Sequence, residues 1–229
     1  YVVHMAALFA NQNSVDHPLD DLKVNGEGTV KVLQYSKAYG VQKLLYTSSS
    51  CVYGNGSDMK EEQHEFFPDT PYAITKLLGE RYCTFWASHH KLNLATVRLF
   101  NTYGPGEFPG KYRNVIPNFI QLAMNGKPLT ITGTGEETRD FTFVDDTVEG
   151  IHRVLFSDTP PNAIYNIATG FGTSIQTIAE LVNALAGNAG GINYLPRRQW
   201  DHVKDRKGNI SKISGELGFE AKTGIENGI

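Results

Sequence analysis

Tyr72 and Lys76, four residues apart, are the pair in this sequence best suited to proton chemistry. On a helix they share one face, one turn from each other. A lysine ammonium beside a phenol favours the phenolate, which makes the tyrosine a usable base near neutral pH. Upstream, Thr47-Ser48-Ser49-Ser50-Cys51-Val52-Tyr53-Gly54 follows the apolar run Leu44-Leu45-Tyr46. That places hydroxyls at a strand end, where they can bond the same oxygen that the tyrosine deprotonates. A Tyr-x-x-x-Lys alone is also an ordinary solvated helix pair. The serine cluster, the Tyr-Gly after it and the Pro71 that opens the helical pattern make the combination specific.

These groups need a strand ending near residue 47 and a helix starting near 72. Val41 to Thr47 is apolar on both faces, as a central parallel strand requires. From Tyr72 to His90, Ile74, Leu77, Leu78, Tyr82, Phe85 and Trp86 form an apolar stripe at helical spacing. Tyr1 to Ala7 reads as a buried strand, followed by a polar loop from Asn11 to Pro18. Asp20 to Tyr39 reads as a helix closed by Gly40. Asn55 to Thr70 is a long polar loop able to cover a site. Asn93 to Phe100 is a further strand, and Gly104-Pro105-Gly106 marks a boundary.

Beyond it, a helix is expected from Asn114 to Met124, a short strand at Leu129–Ile131 and a strand from Ala163 to Ala168. An amphipathic helix follows from Thr173 to Ala186. Of the pair Asp145-Asp146, one is expected to cap a helix from Thr147 to Phe156 rather than bind a metal.

The 229 residues are 40% hydrophobic and 20% charged, a globular composition long enough for a sizeable core. The net charge of −3 and the scattered basic residues suggest neither a nucleic-acid nor a membrane surface. Two cysteines, Cys51 and Cys83, show no metal-ligand spacing and no disulfide framework, so a reducing cytoplasmic setting is the default.

The constellation resembles the extended short-chain dehydrogenase/reductase family, in particular its nucleotide-sugar epimerases and dehydratases. The likeness runs from Val2-Val3-His4-Met5-Ala6-Ala7 to Leu217-Gly218-Phe219. It implies an α/β fold: a Rossmann-type doubly wound parallel sheet with a smaller, interleaved substrate-binding lobe. Residues 1–104 and about 144–170 would form the NAD-binding part, and 105–143 with 171–229 the nucleotide-sugar lobe. In the family, Tyr1-Val2-Val3 would be the fourth strand. No glycine-rich phosphate loop appears, so the sequence is expected to be a piece whose first strands are missing.

The resemblance assigns roles residue by residue. Ser49, Tyr72 and Lys76 are the catalytic set. NAD is expected against Ala6, Ala7, Asn25 (within Asn25-Gly26), Ser48 and Phe100, together with Tyr72 and Lys76. The nucleotide sugar is expected against Ser49, Ser50, Asn101 and Val115. Arg139, in Arg139-Asp140-Phe141, and Arg198 would take its phosphates and Asp201 its ribose. No metal site is implied. A homodimer is expected, through helices 20–39 and 72–90.

The reaction so implied is NAD-dependent epimerisation at C4 of a nucleoside-diphosphate sugar, UDP-linked, through a 4-keto intermediate. A 4,6-dehydratase would carry an Asp-Glu pair where Ser50-Cys51 stand, and a UDP-glucuronate decarboxylase a Glu at Cys51. A non-catalytic nucleotide-binding protein would have no need of Ser49, Tyr72 and Lys76 together. One departure is Thr132, where relatives commonly place an aromatic near the nucleotide.

Overall fold

A computed structural model describes residues 1–62 and 65–229. Its organising element is the strand Leu44–Ser49, buried at every position. Alternation along a strand sends neighbouring side chains to opposite faces. Leu44 and Tyr46 pack with Leu33, Cys83 and Trp86, from the helices Gly28–Ala38 and Pro71–His90. Leu45 packs on the other face with Val154 and Leu155 of the helix Val144–Phe156. Helices therefore cover both faces. The strands Val2–His4, Leu44–Ser49, Leu94–Leu99 and Ala163–Ile167 lie side by side in that order, all parallel. This is the expected Rossmann-type α/β sheet. Parallel strands end on one edge, and ligands bind outside those carboxyl ends; Ser49 and Leu99 are registered there.

A second lobe carries its own core, with Phe119 of the helix Val115–Met124 against Leu129 and Ile131, and with Ile178 and Val182 of the helix Ile175–Ala186. It contributes to a sheet ordered Thr173–Ser174, Thr138–Arg139, Asp205–Gly208 and Gly56–Met59. That last strand falls inside the stretch 55–70 expected to be loop; within it, residues 63 and 64 lie outside the described residues. Ile213 and Phe219, from the part of the chain expected in the second lobe, pack into the core of the main sheet.

The expected helix 20–39 is built in pieces: a turn Pro18–Asp21, a π-helical stretch Leu22–Glu27, then Gly28–Ala38. The expected cap at Asp145-Asp146 is corrected as well. The helix starts at Val144, and Asp146 accepts the backbone N–H groups of Lys222 and Thr223 at 3.0 and 2.9 Å, tying down the C-terminal segment. At the far end of the same helix, buried Lys43 donates to the carbonyls of Val154 and Ser157 at 2.7 and 2.8 Å. It thereby satisfies carbonyls that a helix terminus leaves open.

His4, buried at the end of the first strand, lies 3.0 Å from the Thr29 hydroxyl through Nε2. That hydroxyl donates its proton to the Asn25 carbonyl at 2.6 Å, so it accepts from a neutral His4 Nε2–H. Burial, and then the charge of Lys76, lower the His4 pKa to about 4. Between pH 6.5 and 4 the unfolded chain thus binds the extra proton. Stability should fall as pH drops through that window, by up to about 3 kcal/mol from this group. Urea unfolding midpoints at pH 7 and 4 should therefore converge when His4→Gln is compared with the parent; an unchanged difference would remove His4 from the account.

Candidate active site

Between the carboxyl edge of the main sheet and the second lobe lies a cavity of about 830 Å³. All the residues singled out from the sequence line it except Ala6 and Asn25. Tyr72 and Lys76 reach it because Thr70 caps their helix, its hydroxyl accepting the Ala73 N–H at 3.3 Å, with Pro71 next. The Ser14 hydroxyl accepts the Tyr72 N–H at 3.0 Å. Thr75, on the same helix, donates to the buried Asp21 carboxylate at 2.5 Å. Tyr46 lies under the helix and donates to the Lys76 carbonyl at 3.2 Å. Only a glycine at 79 allows this, since a Cβ there would collide with the Tyr46 hydroxyl.

Lys76 Nζ donates to the Thr47 carbonyl at 2.8 Å and stands 5.7 Å from the centre of the Tyr72 ring. Ser49 caps the tight turn Ser50–Tyr53, accepting the Cys51 N–H at 3.2 Å. Its hydroxyl also stands near enough to the Tyr72 phenol to favour the ionised form. The expected lowering of the phenol pKa is not what the fold produces by itself. Burial first, and the Cys51 thiol next, push the Tyr72 phenol up, with Ser49 pulling the other way. The same burial brings Lys76 down to about 8, against the opposing pull of Asp21, Cys51 and Glu80. In a dry pocket desolvation penalises both charges, so phenol and amine are each drawn towards neutrality. An ammonium has three N–H donors, and one is spent on Thr47. The remaining donors, with the phenol, suit a pair of vicinal hydroxyls such as a ribose diol, which fits the expected NAD.

Ser48 lines the cavity but its hydroxyl is committed elsewhere. It donates to Glu80 at 2.5 Å, and Glu80 accepts from Nε and Nη2 of Arg98 at 2.9 and 2.8 Å. Arg98 also donates to the Tyr53 hydroxyl at 2.7 Å, which donates to Asn166 at 2.8 Å. Asn25 does not reach the cavity. Its amide accepts the Leu8 N–H at 2.7 Å and donates to the Leu8 carbonyl at 3.1 Å. It thus holds in place the segment through which Ala7 lines the wall. Ala6, in the same segment, is exposed.

The far end of the cavity is basic. Arg139 donates to the carbonyls of Thr138, Lys204 and Val203 and lies 3.9 Å from Asp201. Burial, and then the neighbouring Arg206, bring its pKa down to about 10. Arg197 is held by the Val203 carbonyl and lies 3.7 Å from Asp201, whereas Arg198 stands over the Trp200 ring. Asn101 and Val115 lie on the wall between the two ends, and Phe100 is buried beside them. Two contacts bridge the mouth: Lys111 and Tyr112 to Asp16 at 3.2 and 2.9 Å, and Trp200 to Gln12 at 2.9 Å. Arg206, buried and lining the cavity, was not singled out from the sequence, where it stands within the charged stretch Lys204-Asp205-Arg206-Lys207. Among the described residues no cluster could hold a metal ion, and no helix is long and apolar enough to cross a membrane.

Comparison with known proteins agrees with this architecture. The family model described as "NAD dependent epimerase/dehydratase family" matches residues 1–168. The chain is 30% identical, over its whole length and 74% of the relative's, to a UDP-N-acetyl-alpha-D-glucosaminuronate decarboxylase of Bacillus cytotoxicus. A solved epimerase of Methanothermobacter thermautotrophicus superposes with a TM-score of 0.95 at 44% identity, over all of this chain and 69% of the other. The UDP-glucose 4-epimerase of Thermotoga maritima, solved with UDP-glucose, gives 0.92 at 31% identity, over all of this chain and 74% of that one.

Proposed function

The chain belongs to the NAD dependent epimerase/dehydratase family, and from that premise we propose that it inverts C4 of a UDP-linked sugar through a 4-keto intermediate. Its relatives include epimerases and a decarboxylase, so the family alone does not choose between them. What supports epimerisation is the chemistry at positions 50 and 51. A hydroxyl and a thiol stand there, beside Ser49 and Tyr72. Removing water across C5 and C6 needs a carboxyl-like acid and base. A hydroxyl and a thiol are poor substitutes for such a pair at neutral pH. The carboxylates that line the cavity are Asp69, exposed at its rim, and Glu137 and Asp201 beside the arginines.

In this reading Tyr72 and Ser49 hold the C4 oxygen, and Tyr72 takes its proton. Lys76 holds the ribose hydroxyls of the cofactor and favours the phenolate by its charge. NAD, when bound, supplies the acceptor and donor of hydride. Phe100 and the segment held by Asn25 shape the wall beside it, while Arg139 and Arg198 meet the diphosphate. The room left by Ser50 and Cys51 lets the keto sugar turn over. Mass spectrometry and NMR of a UDP-sugar incubated with the NAD-loaded protein should show the C4 epimer at unchanged mass. Loss of water or carbon dioxide as the main course would transfer the assignment to a dehydratase or a decarboxylase.

The active form proposed is a homodimer. Tyr35 and Tyr39 at the end of one helix, and Ile74 and Phe85 on its neighbour, leave large apolar side chains exposed on one side of the sheet. A second copy would cover them. Sedimentation at micromolar concentration should give twice the chain mass; a monomer would rule this pairing out.

A further inference from the structure

Arg206 is a buried cation for which the fold supplies no counterion. It is 5% exposed and lines the cavity. Arg98 has Glu80, and Arg139 and Arg197 share Asp201, but no ion pair among the described residues includes Arg206. Its Nε donates to the Gly54 carbonyl at 3.1 Å and its Nη1 to the Cys51 sulfur at 3.3 Å, both uncharged acceptors. Its Nη2 has no acceptor among the described residues. Burying a guanidinium in this state is costly unless an anion arrives to meet it.

The sheet register says where that anion sits. The strand Asp205–Gly208 lies between Thr138–Arg139 and Gly56–Met59, with Arg206 opposite Arg139 on one side and Gly56 on the other. Arg206 is therefore one strand closer than Arg139 to the turn Ser50–Tyr53. Its side chain ends on Cys51, which packs against Tyr72. The guanidinium thus stands next to Arg139 on the neighbouring strand and reaches the reacting residues through Cys51. With the C4 oxygen held by Ser49 and Tyr72, the ring groups next in reach are the C3 hydroxyl and C5 with its C6 substituent. Of these only C6 can carry a carboxylate, and the planar guanidinium fork matches one. The Cys51 sulfur is an uncharged acceptor, so its contact with Nη1 leaves the positive charge of the fork unpaired.

Building on the epimerase reading above, we propose that the sugar is a uronate, its C6 carboxylate paired with Arg206 beside Cys51. The test is calorimetric binding of UDP, UDP-glucose and UDP-glucuronate to the NAD-loaded protein and to Arg206→Gln, with the product identified in parallel. The parent protein should bind UDP-glucuronate at least about 10-fold more tightly than UDP-glucose. Arg206→Gln should lower UDP-glucuronate affinity on the order of 10²-fold, while UDP affinity stays within about 3-fold. An equal loss for UDP would make Arg206 a phosphate ligand and overturn the proposal. So would a parent protein that prefers UDP-glucose, a result that requires no variant to fold. Uronate binding that depends on Arg206 but ends in release of carbon dioxide would keep the substrate class and remove the epimerase reading. Epimerisation of UDP-glucose with the uronate ignored would do the reverse.

Discussion

Tyr72→Phe should cut turnover by about 10³-fold or more, with UDP-sugar affinity held within about 3-fold. The substitution deletes one oxygen and little else. The ring is 7% exposed, packs with Cys51 and Ala73 and meets Phe9 edge-on at 6.0 Å, contacts that phenylalanine keeps. Lys76 stays anchored on the Thr47 carbonyl. What disappears is the atom that exchanges a proton with the C4 hydroxyl. No neighbouring group replaces it, because the Ser49 hydroxyl beside the phenol is far too weak an acid at neutral pH to act alone. Steady-state kinetics with calorimetric binding separates the two effects. Turnover near that of the parent would end the assignment of Tyr72 as the base.

Arg98→Met should destabilise the protein by about 3–5 kcal/mol, the cost of stranding a buried charge. Glu80 is buried and has been held by two donors of the guanidinium, Nε and Nη2, with Ser48 as a third donor. Methionine fills much of the volume but leaves that carboxylate facing a neutral neighbour. In a chain of this size the melting temperature should drop by roughly 10 °C or more. Removing both charges together, as Glu80→Met with Arg98→Met, should cost less than the two single changes summed, since no ion is then left unpaired. Simple additivity in that thermal cycle would mean the pair contributes nothing as a pair. The site would feel the single change too. Glu80 lies one helical turn beyond Lys76 and raises its pKa, and without Arg98 that pull is no longer offset.

Much of the fold was legible because its signals are local. The helix expected from Tyr72 is the helix Pro71–His90, and the strand ending near Thr47 ends at Ser49. Pro71, the capping threonine and the apolar run are adjacent in sequence and act over a few residues. What could not be read depends on contacts between distant residues. The π-helical stretch Leu22–Glu27 follows no propensity; it coincides with Asn25 turning its amide to Leu8, 17 residues away. The direction of the Tyr72 shift depends on how dry the pocket is, which no spacing reveals. Arg206 sits in a charged run that ordinarily faces water. It is buried only because its strand pairs with Gly56–Met59, some 150 residues earlier, and its Nε reaches Gly54 across a separation of 152.

The pairing of Leu94–Leu99 with Ala163–Ile167 also bears on how the chain is made. Between those strands the polypeptide leaves the main sheet to build part of the second lobe, then returns. A nascent chain that has emerged only to residue 143 therefore carries a sheet with one face dressed and the other bare. Leu45, Ala95 and Val97 wait for Val154, Leu155, Ile213 and Phe219, which are synthesised later. During that interval an apolar surface stands open to solvent or to a chaperone, the state in which large domains aggregate. The same interleaving means that no single cut separates two self-sufficient halves. Division near Gly104 would leave the first product without its fourth strand and the second without the sheet its last helices cover.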